Sequence, residues 1–380
     1  MKKSLLALAA IGAFVGTAQA QSSVTVYGTL DAAIRITDSG ATATNGKTTN
    51  LAGGTFATDR IGFRGVEDLG GGRAASFQLE TGISFLDQNA GTATGQTASP
   101  AAQPGNWLAN GRPSFVGLSD KALGKLELGR MYSPGFRFTG FGAVMGSNVF
   151  GTNLSQGMIT NSTADAAATS STTSSTADYK YVANAVAYTS PTISGFNVEL
   201  FATSKDTAAN GYGGMSGVTL NYTLGKLTAQ AYAQKIEAVT TTSVAKASSA
   251  GVGVGYDFGV VNTRLSYQTN DPSDLISNNT VTVTKLSVIA PVTKVVSLYA
   301  GYAMLKEQAG GSLYSASTSV AGDAKVVNVG ATYALSKRSS IYADYASLSQ
   351  DNNSRFSLSS AIGTAGLKPS QIAVGVRHTF

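Results

Sequence analysis

Gly251-Val252-Gly253-Val254-Gly255-Tyr256-Asp257-Phe258 sends Val252, Val254, Tyr256 and Phe258 to one side of an extended chain, and three glycines with an aspartate to the other. After Gly259 and Val260, the run Val261-Asn262-Thr263-Arg264-Leu265-Ser266-Tyr267-Gln268 makes the same division, with Asn262, Arg264, Ser266 and Gln268 on the polar side. Side chains alternate across a strand with a period of two, so each run reads as a strand with one apolar and one polar face. The pattern returns at Phe196, Val198 and Leu200, at Val218, Leu220, Tyr222 and Leu224, and at Ile341, Ala343 and Tyr345.

Applied to the whole chain, this reading gives sixteen strands, over 23–36, 56–66, 73–86, 110–119, 124–132, 179–190, 195–204, 215–224, 226–237, 247–257, 259–269, 280–290, 294–306, 324–334, 338–349 and 370–380. Short turns, such as 67–72, 120–123 and 191–194, alternate with long polar connections at 37–55, 87–109, 133–178, 205–214, 238–246, 270–279, 307–323 and 350–369. An up-and-down barrel produces this alternation, with turns at one rim, loops at the other and both chain ends on the turn side. The expected fold class is all-β, a sixteen-stranded antiparallel transmembrane β-barrel.

Composition agrees with a membrane setting. Charged residues are 13% of the chain, about half the usual soluble fraction. No apolar run after residue 20 approaches the roughly 20 residues that a membrane-crossing helix needs. At the N-terminus, Lys2 and Lys3 precede an apolar run from Leu5 to Val15 and a small-residue Ala18-Gln19-Ala20. This is the pattern of a secretory signal peptide over 1–20, leaving 21–380 as the barrel. Without Lys2 and Lys3 the chain carries 25 basic against 21 acidic side chains, with no basic cluster, so nucleic-acid binding is a poor explanation. One His and no Cys exclude disulfides and Cys/His metal sites. No catalytic cluster can be assembled around His378, and no cofactor or metal is expected.

Parity assigns the lumen. With Val24, Val26, Leu30, Ile34 and Ile36 facing lipid, Asp31 and Arg35 face inward. Ile61 and Phe63 outward put Arg60 and Arg64 inward; Phe77, Leu79 and Ile83 outward put Glu80 inward; Phe115 outward puts Arg112 inward. Charge on the lipid face at mid-membrane costs roughly 2–4 kcal/mol, which favours pore-lining positions for these arginines.

The mature start Ser23-Val24-Thr25-Val26-Tyr27-Gly28-Thr29-Leu30-Asp31 resembles the first strand of Gram-negative general porins. Arg60-Ile61-Gly62-Phe63-Arg64-Gly65-Val66-Glu67-Asp68-Leu69-Gly70 resembles their second strand and turn. The hairpin around Ser114-Phe115-Val116-Gly117-Leu118 and Gly124-Lys125-Leu126-Glu127-Leu128-Gly129-Arg130 is similar to the one before their constriction loop. Asn184-Ala185-Val186-Ala187-Tyr188-Thr189-Ser190-Pro191 is similar to their sixth strand, and the closing Val374-Gly375-Val376-Arg377-His378-Thr379-Phe380 most resembles the porins of beta-proteobacteria.

The resemblance implies an outer-membrane homotrimer in contact with outer-membrane lipids. Its third loop, 133–178, would fold inward as a constriction, and ions and small hydrophilic solutes would permeate passively. It also implies that Arg130 stands in the constriction, whereas alternation from Leu126 and Leu128 turns Arg130 outward; a bulge near Gly129 would reconcile the two. Tyr181, with Lys180 beside it, occupies a place where the family often has arginine. From 133 to 177 the loop offers Asp165 as its acid and Arg137 as its base. A basic wall facing so neutral a loop suggests an anion preference. Phe380, ending the last strand, resembles the signal read by the outer-membrane assembly machinery. Alternatives are a channel selective for particular anions or metabolites, and a non-conducting barrel serving as an adhesin or envelope structural protein.

Overall fold

A computed structural model describes residues 23–41, 46–83, 85–86, 111–143, 180–204, 212–239, 244–271, 280–308, 322–358 and 364–380. The expected signal peptide and most of 133–178 lie outside them. The strands are β1 (Ser23–Asp38), β2 (Lys47–Gly53), β3 (Arg60–Gly70), β4 (Arg73–Gly82), β5 (Gly111–Asp120) and β6 (Gly124–Tyr132), followed by a helix, α1 (Pro134–Phe141). Then come β7 (Tyr181–Thr189), β8 (Phe196–Thr203), β9 (Tyr212–Leu224), β10 (Leu227–Val239), β11 (Val244–Asp257) and β12 (Asn262–Asp271). The chain ends with β13 (Val281–Pro291), β14 (Val296–Glu307), β15 (Asp323–Ala334), β16 (Ser339–Gln350) and β17 (Ser370–Thr379).

Each strand pairs antiparallel with its neighbour, and β17 returns to β1 from Thr29↔Thr379 to Asp38↔Ser370. On its other edge β1 pairs with β2 through Ala32–Asp38 and with β3 through Ser23–Thr29. Strands β2 and β3 are therefore two halves of one stave, and the barrel closes with sixteen staves. The second strand begins at Lys47, earlier than alternation indicated, because 54–59 leaves the ladder and breaks the pattern. The third stave ends at Gly82 rather than at residue 86.

Closure satisfies every ladder N–H and C=O without water, the condition for crossing a bilayer. Outward side chains such as Val24, Val116, Leu118, Val252, Val254 and Val374 are exposed on the barrel's exterior, an apolar belt suited to lipid. No helix among the described residues is long and apolar enough to cross a membrane; the strands do so.

The interior departs from a plain polar tube in several places. Helix α1 packs on the inner wall of β9–β11. The detour 54–59 buries Phe56 against Tyr299 and Tyr342. After β16, Phe356 and Leu358 cover an apolar patch of Val281, Val283, Leu305, Val326 and Leu348 on β13–β16. The connection 350–369, expected as a polar rim loop, thus turns part of itself inward to bury apolar side chains.

Candidate functional site

The inner face of β3–β7 brings Arg60, Glu80, Arg112, Arg130 and Tyr181 together. Arg112 is nearly covered, with its Nε paired to Glu80, Nη1 donating to the Tyr181 hydroxyl at 2.8 Å and Nη2 to the Tyr132 hydroxyl at 2.9 Å. Glu80 also accepts from the Tyr27 hydroxyl at 3.0 Å and lies 3.7 Å from Nε of Arg60. Arg60 in turn donates to the Thr58 carbonyl, and Arg64 stands exposed with its guanidinium 5.0 Å from the Tyr27 ring centre.

Strand β5 reaches this arrangement by a different route from simple alternation. Leu79 pairs with Ser114 but Thr81 pairs with Gly111, so Arg112 and Pro113 together oppose Glu80. That bulge accommodates Pro113, which has no N–H to give the ladder. It also shifts parity: Val116 and Leu118 face lipid, and Phe115, expected outward, instead packs inside with Met131 and Val182. Arg112 is inward as expected, but it is a tie within the wall rather than a side chain open to the channel.

The irregularity anticipated at Gly129 is present. Pairing with β7 slips between Gly129 and Met131, and Gly129 has φ +147°, a conformation L side chains rarely adopt. Arg130 lies with its guanidinium 5.7 Å from the Tyr181 ring centre. Lys180 sits 5.0 Å from the same ring and 4.8 Å from that of Phe136. Tyr181, buried, is thus a hub for Arg112, Arg130 and Lys180.

Helix α1 starts where Ser133 caps it by accepting from the Phe136 N–H at 3.1 Å, with Pro134 at the first turn. Gly135 N–H donates to Gln234 Oε1 at 2.8 Å, and Arg137 pairs with Glu199 and donates to the Tyr132 carbonyl. The rings of Phe138 and Phe141 lie on Gly251 and Gly253, where a Cβ would meet them at 2.6 Å. The glycines on the polar side of β11 are therefore the seat of the helix. At its C-terminal end Lys285 Nζ donates to the Thr139 carbonyl at 3.1 Å, Arg264 Nη1 to that of Phe141 at 3.0 Å, and Ser287 Oγ to that of Gly142 at 2.9 Å. Cations here satisfy carbonyls the helix leaves open and suit its negative end.

Asp31 faces inward as parity requires, but the detour covers it completely. Its carboxylate accepts from the N–H groups of Phe56 and Ala57 and from the Tyr342 hydroxyl at 2.6 Å, while its own N–H donates to Asp59 at 2.6 Å. It therefore anchors the detour and does not line open water. Arg35 is inward on β1 and partly exposed. At the chain end Phe380 exchanges backbone hydrogen bonds with Gly28, at 3.0 and 3.2 Å, and closes the seam.

Sequence reasoning missed Tyr27, Tyr132, Glu199, Phe56 and the Lys285 contact with α1. Glu199 was within reach, since Val198 and Leu200 facing outward place it inside. Phe56 left no periodic signal.

A closed sixteen-stave barrel with a lipid-facing belt and a charged, partly water-exposed interior defines a transmembrane channel. The sequence profile of Gram-negative porins matches residues 7–353, and the chain belongs to that family. An outer membrane porin protein of Bordetella pertussis is 29% identical over 434 residues, covering all of both chains. Among solved structures, an anion-selective porin from Comamonas acidovorans superposes with a TM-score of 0.72 at 22% identity, over 95% of this chain and 100% of that one. A trimer form of OmpT from Vibrio cholerae gives 0.66 at 15% identity, over 94% and 99%. The protein is a channel of the outer membrane, for passive diffusion through a water-filled pore, and not an enzyme.

Proposed function

We propose that this porin favours anions, and that the segment 133–178 narrows its lumen to bring permeating ions within reach of the arginine wall. One observation carries the reading: Glu80, Glu199, Asp31, Asp59 and Asp344 are covered while Arg60, Arg64 and Arg137 are open, although Arg112 and Lys285 are covered as well. Side-chain exposure is 7% for Glu80 and 9% for Glu199, against 31% for Arg60 and 36% for Arg137. Arg64 is more exposed still, and Asp31, Asp59 and Asp344 are buried. Around β3, β4 and α1 the fixed charge that water can reach is therefore positive, and rings of such charge set ion preference. The anion-selective relative from Comamonas acidovorans supports the same reading.

The same proposal extends to the assembly. Residues 1–20 act as the export leader, Phe380 marks the last strand for the assembly machinery, and the mature barrel forms a homotrimer among outer-membrane lipids. An apolar hollow of about 450 Å³ on the exterior, lined by Val24, Phe77, Val116, Leu118, Leu126 and Leu128, supports association. So does the trimer form of the OmpT relative. Reversal potentials of single channels in a KCl gradient test the ion preference; a potential of the sign given by potassium would refute it.

A further inference from the structure

We propose that Arg264 is a second anion-contacting, selectivity-determining residue, on the wall across the lumen from the arginine cluster. The inference rests on the anion-preferring reading and adds a second positive side to it. Arg264 is on β12, nine staves beyond that of β3 in a ring of sixteen, and so faces Arg60 and Arg64 across the channel. Its parity is inward: Leu265 and Tyr267 on either side of Ser266 are exposed to lipid, while Ser266 and Gln268 are buried.

The guanidinium is held without being neutralised. One Nη donates to the Phe141 carbonyl at 3.0 Å, and the group lies 5.1 Å from the Phe141 ring centre. Its Nε has no hydrogen-bond partner, and no carboxylate stands within 4.0 Å of it among the described residues. The adjacent Lys285 is fully covered and donates to the Thr139 carbonyl of the same helix end. The helix terminus offers only about half a negative charge, so it does not neutralise the Arg264 guanidinium. An acidic loop opposite a basic wall would pull cations and anions to opposite sides of the channel. Here an anion meets attraction first at one wall and then at the other, and a cation meets repulsion at each.

The two walls also act at different depths. Arg60 is at the loop end of the 11-residue β3, whereas Arg264 is the third residue of β12 counted from its turn. An anion leaving the cluster around Arg60 toward the turn-side mouth therefore passes Arg264.

The test is the chloride-to-potassium permeability ratio, from reversal potentials in a KCl gradient. Arg264→Gln keeps a donor for the Phe141 carbonyl and removes the charge; Arg264→Lys keeps the charge. The glutamine variant should lower the ratio about twofold, the effect of one charge roughly 10 Å from the ion path in a high dielectric. The lysine variant should match the wild type in this ratio. In Arg264→His, whose charge switches between pH 5 and 8, the ratio should be higher at pH 5 by the same factor beyond any wild-type change. This comparison uses a single assembled protein and stands if the glutamine variant does not assemble. An unchanged ratio in the glutamine or histidine variant, with Arg64→Gln lowering it, would overturn the role of Arg264 and leave the anion preference intact. Equal shifts in the lysine and glutamine variants would also overturn it, assigning Arg264 to helix placement alone. A wild-type channel that prefers potassium would instead defeat the underlying reading.

Discussion

Replacing Arg112 by methionine removes the centre of a covered polar network and should cost stability rather than ion preference. Arg112 and Glu80 have side chains 8% and 7% exposed, and the guanidinium serves Glu80 and the Tyr132 and Tyr181 hydroxyls at once. Breaking a buried ion pair by removing one partner costs about 3–5 kcal/mol, because the other charge stays buried. Here Glu80 retains the Tyr27 hydroxyl at 3.0 Å and Arg60 at 3.7 Å, which places the expected loss near the lower end, about 3 kcal/mol. That is roughly a hundredfold in the folded-to-unfolded ratio. Adding Glu80→Gln to Arg112→Met should recover most of the loss, since no uncompensated charge then remains, and the coupling appears in a double-mutant cycle. Denaturant unfolding of the detergent-solubilised protein, followed by circular dichroism of the strand signal, gives the energies. Arg64→Met, at an exposed side chain, is the reference and should change stability by no more than about 0.5 kcal/mol. The reasoning is refuted if Arg112→Met is as stable as Arg64→Met, or if it shifts the permeability ratio as far as Arg64→Gln does.

Phe56→Ala empties a site packed by Tyr299 and Tyr342, with the Arg377 guanidinium 5.1 Å from the ring. It should cost about 3–5 kcal/mol in unfolding and raise single-channel conductance as the 54–59 detour loosens; a loss below about 1 kcal/mol would contradict the packing described. Gly251→Val places a side chain where Phe138 lies at 2.6 Å, so α1 should be displaced toward the channel axis. Single-channel conductance should fall measurably, and unaltered conductance would contradict the seating of α1 on β11.

Period-two alternation made the barrel legible because most staves carry a polar or small-residue inner face opposite an apolar face turned to lipid. It placed Arg60, Arg64, Glu80, Asp31 and Arg35 inward from local sequence alone. It failed at Phe115, where Arg112 and Pro113 share one place in the ladder, because a bulge shifts parity without changing composition. The helix and the detour were not legible, since their partners are remote: Gly135 meets Gln234 and Phe56 meets Asp31. The three glycines of β11 were visible as an anomaly on a polar face. Only α1 lying on two of them shows that they make room for its rings. Likewise, parity could point Arg112 and Asp31 inward but could not tell a side chain that lines water from one that other residues cover.

The proposed ion preference is tested most directly by reversal potentials in a KCl gradient. The wild type should be compared with a variant carrying glutamine in place of Arg60, Arg64 and Arg130. The wild-type current should reverse on the chloride side of zero, and the triple variant should move toward zero while still conducting. A wild-type channel that reverses on the potassium side, or a triple variant that keeps the wild-type potential, would contradict the account.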